Sequence, residues 1–340
     1  MDSLTQAVLG AAVGEAVLGK KVGNKAAVWG AVAGTLPDLD VLLNLLLDDV
    51  GALVFHRSFT HSFLFVVLLT PVLGKMIFRL YRKGPATWRD WSWLSFAVLF
   101  THPLLDCFTT YGTQIFFPFS TYPVSFSSIF VIDPLYTLPL IVGLFLALRK
   151  RPEAPRRRLA NYLGLSFSCL YLLVTLVNKT IVTATFAEAL EQQGLAYQRI
   201  ATRPTPLNSL LWVAQADDGD GFWVGLYSLL DGDRPIDFQR LDKHQQLLDG
   251  LTDHPSVQRL RRFSRGYFTV ENIDSVLVFN DIRFGRSDGW LRDEGAYLFS
   301  FHIQRDPADT SRVTAIEQIP FTSSLDRTTL RLLLARIGGR

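Results

Sequence analysis

Apolar residues fall into long blocks in the first half of the chain and into short alternating runs in the second. The blocks run approximately over 4–19, 24–47, 59–80, 91–110, 130–148 and 159–183. Blocks of this length predict membrane-embedded helices, since about 20 apolar residues cross a hydrocarbon core. The pattern therefore predicts a mostly α-helical membrane bundle of about 6 apolar helices. The first block is short, rich in small residues (Gly10, Ala11, Ala12, Gly14) and carries Glu15, which predicts a helix packed inside the bundle or only partly inserted. The second sets Gly30 and Gly34 on one side, a spacing that lets two helices approach closely, before Pro37 interrupts it. Beyond residue 183 the runs at 208–216, 222–230, 265–271, 275–284, 296–303 and 311–319 have the alternation of strands, and 239–250, 254–263 and 325–337 read as helices. Asp217-Asp218-Gly219-Asp220-Gly221 reads as a hairpin loop, lacking the 12-residue ligand spacing of a calcium loop. The expectation is two domains: 1–183, a membrane-embedded helical domain, and 184–340, a soluble α+β domain with an antiparallel sheet.

Composition supports that division. Of the 340 residues, 49% are hydrophobic and 19% charged, and mean hydropathy is +0.21. These values exclude a disordered chain, a collagen and a coiled coil, and they argue against a purely soluble enzyme. Residues 1–183 hold 16 Lys/Arg against 10 Asp/Glu, and residues 184–340 hold 18 against 21. The polar half is mildly acidic, so no nucleic-acid partner is inferred. The two cysteines, Cys107 and Cys169, exclude a disulfide framework and a four-cysteine zinc site. Met1-Asp2-Ser3 lacks the basic start of a cleavable signal peptide. Fourteen of the 16 basic residues of the first half lie in alternate loops, between blocks 1 and 2, 3 and 4, and 5 and 6. Those loops are expected on the cytoplasmic side, and the C-terminal domain on the outside, periplasmic in a bacterial cell.

With that orientation the ionisable residues of the apolar half converge. Asp38, Asp40, His56, His61, His102, Asp106 and Asp133 all fall near the external interface, where intramembrane charge marks function. Histidine and aspartate without cysteine suit zinc, manganese or iron. His102 and Asp106 are four residues apart and share a helix face. Asp38 and Asp40 both serve as ligands only if Pro37 opens an extended or turn geometry; otherwise one binds metal and the other holds a histidine. His56 and His61 fit a loop and a first helical turn, with Ser58 or Thr60 as the cap. Gln6 and Glu15 are further candidates, Glu15 either as a ligand or as a partner of Arg57. Asp133, in Ile-Asp-Pro, fits a helix cap as well as a ligand. Arg57 is placed to clamp an anionic phosphate, and snorkelling to headgroups is its alternative role.

At these residues the sequence resembles a known family. Met-Asp-Ser-Leu-Thr-Gln-Ala-Val-Leu-Gly at the start, Gly-Thr-Leu-Pro-Asp-Leu-Asp at 34–40, His-Arg-Ser-Phe-Thr-His-Ser at 56–62 and Thr-His-Pro-Leu-Leu-Asp at 101–106 resemble the YdjM-like family over about residues 1–180. That resemblance implies an inner-membrane, metal-dependent hydrolase. Many members place a histidine where this chain has Gln6, so an additional ligand is open. A more distant similarity joins the order Asp, His, His-x3-Asp to zinc-dependent phospholipase C and the single-strand nucleases. It implies Asp40 or Asp38, His61 or His56, His102 and Asp106 as ligands of one or two Zn2+ ions. The expected function is a membrane-integrated hydrolase in which metal-activated water attacks a lipid or lipid-linked phosphoester at the outer interface. Asp38 is the first candidate for general base if it is not itself a ligand. Two other classes fit the same residues: a non-enzymatic metal-binding or transport protein, and a membrane anchor that displays the C-terminal domain.

Overall fold

The computed structural model describes residues 1–274, 276–291, 295–306, 308–309, 312–321 and 327–339. The first residues of the expected runs at 275–284, 311–319 and 325–337 lie outside them. The chain divides into two compact units, Met1–Leu42 with Phe55–Leu176, and Leu43–Val54 with Val177–Arg340.

The first unit is helical. Helix α1 (Ser3–Val22) opens where Asp2 accepts the Thr5 N–H at 3.0 Å, and closes at Gly23, whose φ of +64° suits a residue without a side chain. It pairs with α2 (Lys25–Thr35) through glycines: a Cβ on Gly34 would lie 2.7 Å from the Gln6 carbonyl oxygen, and one on Gly14 2.5 Å from that of Ala26. Pro37 then starts a 3₁₀ helix, Pro37–Leu46, followed by a short α3 (Asp49–Phe55) and a 3₁₀ turn, Phe59–His61; of these, Leu43–Val54 belongs to the second unit. Helix α4 (Phe63–Leu80) is capped by Ser62, which accepts the Phe65 N–H at 3.1 Å. Helix α5 (Trp88–Asp106) starts with a reciprocal Thr87–Asp90 capping box. Trp91, Leu94, Val98 and Leu99 of α5 bury against Val66, Leu73 and Ile77 of α4 and against Ala26 and Ala33 of α2. Helix α6 (Pro134–Leu148) and the 38-residue α7 (Pro155–Gln192), whose residues from Val177 on belong to the second unit, complete the set.

Three helical segments among the described residues are long and apolar enough to cross a membrane: Lys25–Leu46, Phe63–Leu80 and Pro155–Gln192; Pro134–Leu148 is a shorter apolar helix. The expected count of about six is not reached. Helices α1 and α5 are long enough, but Glu15, Lys20 and Lys21 in the one and Arg89, Asp90, His102 and Asp106 in the other dilute their apolar character.

The second unit carries two four-stranded antiparallel meanders where the sequence predicts a single sheet. Strands β1 (Arg199–Pro204), β2 (Leu211–Asp217), β3 (Gly221–Ser228) and β4 (Phe238–Asp242) form one; β5 (Phe268–Ile273), β6 (Val276–Arg286), β7 (Tyr297–Arg305) and β8 (Val313–Gln318) form the other. Strand β2 is buried along its whole length. Its Trp212 and Ala214 pack with Phe186 of α7, and Val213 packs with Tyr267 and with Ile282 of β6. That is the period-two division of a strand covered on both faces. Helices α8 (Pro255–Phe263) and α9 (Arg327–Ile337) lie near their expected positions. The helix expected over 239–250 is instead β4 followed by a 3₁₀ turn, Gln245–Leu248, because Gln239 and Arg240 pair with Val224 and Trp223 of β3.

Candidate metal centre

Four ligating side chains converge: Asp38, His61, His102 and Asp106 each offer one atom, all within 4.8 Å of one another. Three separate segments deliver them. Asp38 projects from the first turn of the 3₁₀ helix that Pro37 opens, His61 from the 3₁₀ turn before α4, and His102 and Asp106 from successive turns of α5. His61 and Asp106 are fully buried and His102 nearly so; Asp38 is the partly exposed member.

The separations have the size of a coordination shell. His61 Nε2 lies 3.1 Å from His102 Nε2, 3.3 Å from Asp38 Oδ1 and 3.4 Å from Asp106 Oδ2. His102 Nε2 lies 3.5 Å from both carboxylates. Ligands about 2.0–2.1 Å from a tetrahedral ion are roughly 3.3–3.4 Å apart, and the five separations bracket that value.

Hydrogen bonds fix the imidazoles in the ligating tautomer. His102 Nδ1 donates to the Gly34 carbonyl at 2.7 Å, which leaves Nε2 its lone pair. Thr60 Oγ1 donates to Asp40 Oδ2 at 2.8 Å and accepts from His61 Nδ1 at 3.0 Å, which gives His61 the same tautomer. Two Nε2 lone pairs then face each other at 3.1 Å, a repulsive arrangement unless a cation or proton lies between them. The Asp106 carboxylate is polarised similarly. Its Oδ1 accepts from the Met1 amine, from Gln6 Nε2 at 3.1 Å and lies 3.3 Å from Arg57 Nη2, while its buried Oδ2 has no hydrogen-bond partner among the described residues. The donor set and the orphaned oxygen fit a divalent ion.

The remaining candidates have other places. Asp40 is buried and holds His56 Nδ1 at 2.8 Å, the Arg57 N–H at 3.3 Å and Thr60, so it supports the histidines from behind. His56 itself stands outside the four-residue group. Ser58 stands at the N-cap position of the 3₁₀ turn that carries His61, without a side-chain cap bond, and Ser62 caps α4. Arg57, 4% exposed and at φ +61°, is not open to solvent: Nη1 donates to Thr109 Oγ1 at 2.7 Å, and the guanidinium lies 5.0 Å from the Tyr111 ring centre. Gln6 touches Asp106, and its Oε1 is buried without a partner among the described residues. Glu15 is neither a ligand nor a partner of Arg57: it receives two bonds, 2.6 and 2.7 Å, from Arg157. Asp133 caps α6, accepting the Leu135 N–H at 2.9 Å and the Tyr171 hydroxyl at 2.8 Å. Sequence reasoning did not single out Thr109, Tyr111 or the Gly34 carbonyl. Thr109 follows Asp106 by one turn, which is the only local signal, and a backbone acceptor leaves none.

A helical unit with membrane-length apolar helices and a largely buried two-His, two-Asp cluster defines a membrane protein with a possible metal-binding site. The chain belongs to the family of YdjM inner membrane proteins, whose model matches residues 1–182. It is also similar to the uncharacterized protein YfhP of Bacillus subtilis (strain 168), 34% identical over 141 residues, 39% of this chain and 42% of that one. The match thus spans less than half of the curated relative's length. No solved structure matches the chain.

Proposed function

We propose that the protein is a membrane-integrated, metal-dependent hydrolase acting on a phosphoester, lipid or lipid-linked, at the outer face of the inner membrane. The observation that carries this reading is the pair of Nε2 lone pairs converging, with two carboxylate oxygens, at coordination distances among side chains that are buried except for Asp38. Asp38, His61, His102 and Asp106 would hold the ion, Zn2+ by donor chemistry. Held there, a divalent ion would supply a water ligand with its pKa lowered toward 7 and a Lewis acid to polarise the scissile group.

The chain's own residues divide the rest of the work. Asp38, the partly exposed ligand, marks the side from which a substrate approaches. Because Asp38 belongs to the ligand set, the proton-handling role falls to His56. Asp40 fixes its Nδ1 and leaves Nε2 to take or give a proton. Arg57 acts on Asp106 rather than on a phosphate, turning Oδ2 toward the cluster. Basic loops on one side and acids and histidines on the other support a multi-pass topology with the C-terminal domain outside.

The test is turnover of bis(p-nitrophenyl) phosphate and of a fluorescent phosphatidylglycerol by purified full-length protein in detergent. Zinc-dependent hydrolysis that falls at least 100-fold in His102→Ala and in His56→Ala is expected. Equal rates in wild type and both variants would sink the reading.

A further inference from the structure

An anion-binding groove on the second unit follows from charges that the metal centre does not use. The unit is mildly acidic overall, yet an open groove of about 610 Å³ between β1, the segment after β4 and α8 is lined by Arg199, Lys243, Arg261 and Arg262 against one acid, Asp253. The cations are not spread at random. The carboxylate of Asp217 lies under the groove and anchors two of them: Arg199 Nη2 at 2.8 Å, and the Lys243 ammonium, which also donates to the Gly219 carbonyl at 2.8 Å. Arg199 Nη1 is tied further to the Arg265 carbonyl at 2.8 Å. Gly266, at φ +79°, leaves room for that arginine, since a Cβ there would lie 2.6 Å from its Nη2.

Arg261 and Arg262 stand exposed in the last turn of α8, and among the described residues neither has a carboxylate within ion-pair distance. Near Arg199, Arg203 is buried, and its guanidinium donates to the Gln215 amide oxygen, its one side-chain hydrogen-bond partner among the described residues. Arg199 and Arg203 both lie against the Tyr267 ring, 4.5 and 5.1 Å from its centre. Burial, reinforced by Arg283, pulls the Arg203 guanidinium down to about 9. Asp281 offsets only part of that cost, since its carboxylate is paired with Arg283, and a buried cation with no ion pair of its own raises the local potential. Asp217 and Asp253 together leave an excess of positive charge on the groove, and the excess sits on guanidinium forks, which match phosphate oxygens in pairs.

We propose that this groove binds a phosphate or diphosphate group, with Arg261 and Arg262 as the adjustable clamp and Arg199 and Lys243 as the fixed floor. Nothing in this assignment depends on the metal centre. Its test is calorimetric titration of full-length protein in detergent with sodium pyrophosphate, with a parallel arm of mixed micelles containing phosphatidic acid. Saturable binding is expected that weakens with salt, drops at least 10-fold in R261E/R262E, recovers substantially in R261K/R262K, and persists in His102→Ala. Binding in the pyrophosphate arm identifies a soluble anion; binding only to the micelles identifies a lipid headgroup. The proposal is overturned by no saturable binding in either arm, by unchanged affinity in R261E/R262E, or by binding that vanishes in His102→Ala and so belongs to the metal centre.

Discussion

At the scale of single residues, the cluster is organised by what stands behind it. Asp40 touches His56, Thr60 and the Arg57 amide, and through Thr60 it fixes the tautomer of His61. Outer partners of this kind typically carry 10–100-fold in metal affinity. Asp40→Asn keeps the shape but donates where a carboxylate only accepts. It is expected to retain about one zinc per chain while weakening affinity roughly 10–100-fold, measured by competition with a chromophoric chelator. An unchanged affinity would remove Asp40 from the site. The division of labour between Asp38 and Asp40 was not legible in the sequence. It depends on the 3₁₀ path after Pro37, and both outcomes were open without that geometry. His102 and Asp106 were legible because one helix fixes their spacing.

At the scale of elements, the unit around the site is joined by polar staples as well as by glycine contacts. Arg157 of α7 lies buried at 1% exposure and is neutralised by Glu15 of α1 through a two-pronged pair. Asn161 of α7 donates to the Ala12 carbonyl at 2.8 Å. Removing one partner of a buried pair strands the other charge, typically at about 3–5 kcal/mol. Glu15→Gln is therefore expected to lower the thermal midpoint of the detergent-solubilised protein strongly, and Glu15→Gln with Arg157→Met is expected to recover part of the loss. A midpoint within a degree of wild type would refute the staple. The sequence exposed Glu15 as anomalous but not its partner, 142 positions away, because long-range pairing leaves no local periodicity. Strands β1 and β4 were missed for a related reason. Both are edge strands, Arg-Ile-Ala-Thr-Arg-Pro and Phe-Gln-Arg-Leu-Asp, whose polar residues hide the alternation that made β2, β3 and β6 readable.

At the scale of the whole molecule, two units with different chemistry share one chain, and each has its own test. In the second unit burial opposes ionisation of Asp217, but bonds from Lys243, the Gly219 N–H and Arg199 outweigh it and hold the carboxyl below its ordinary range. A depressed carboxyl stabilises the fold fully above the unfolded value, about 3.9, and loses that contribution as pH falls below it. Hydrogen exchange across Leu211–Ser228, taken relative to the intrinsic rate at each pH, is thus expected to quicken below about pH 4 in wild type. In Asp217→Asn it should be faster already at pH 7, by about 2 kcal/mol of lost protection, with less acid dependence. In the first unit, the central claim is that residues from the turn after α2, the turn before α4 and the end of α5 close on one ion. Zinc content by elemental analysis of the detergent-purified protein tests it most directly. About one zinc ion per chain in wild type and near zero in His102→Ala, with folding intact by circular dichroism, is the expected result; equal zinc in both, or none in either after zinc supplementation, would contradict it.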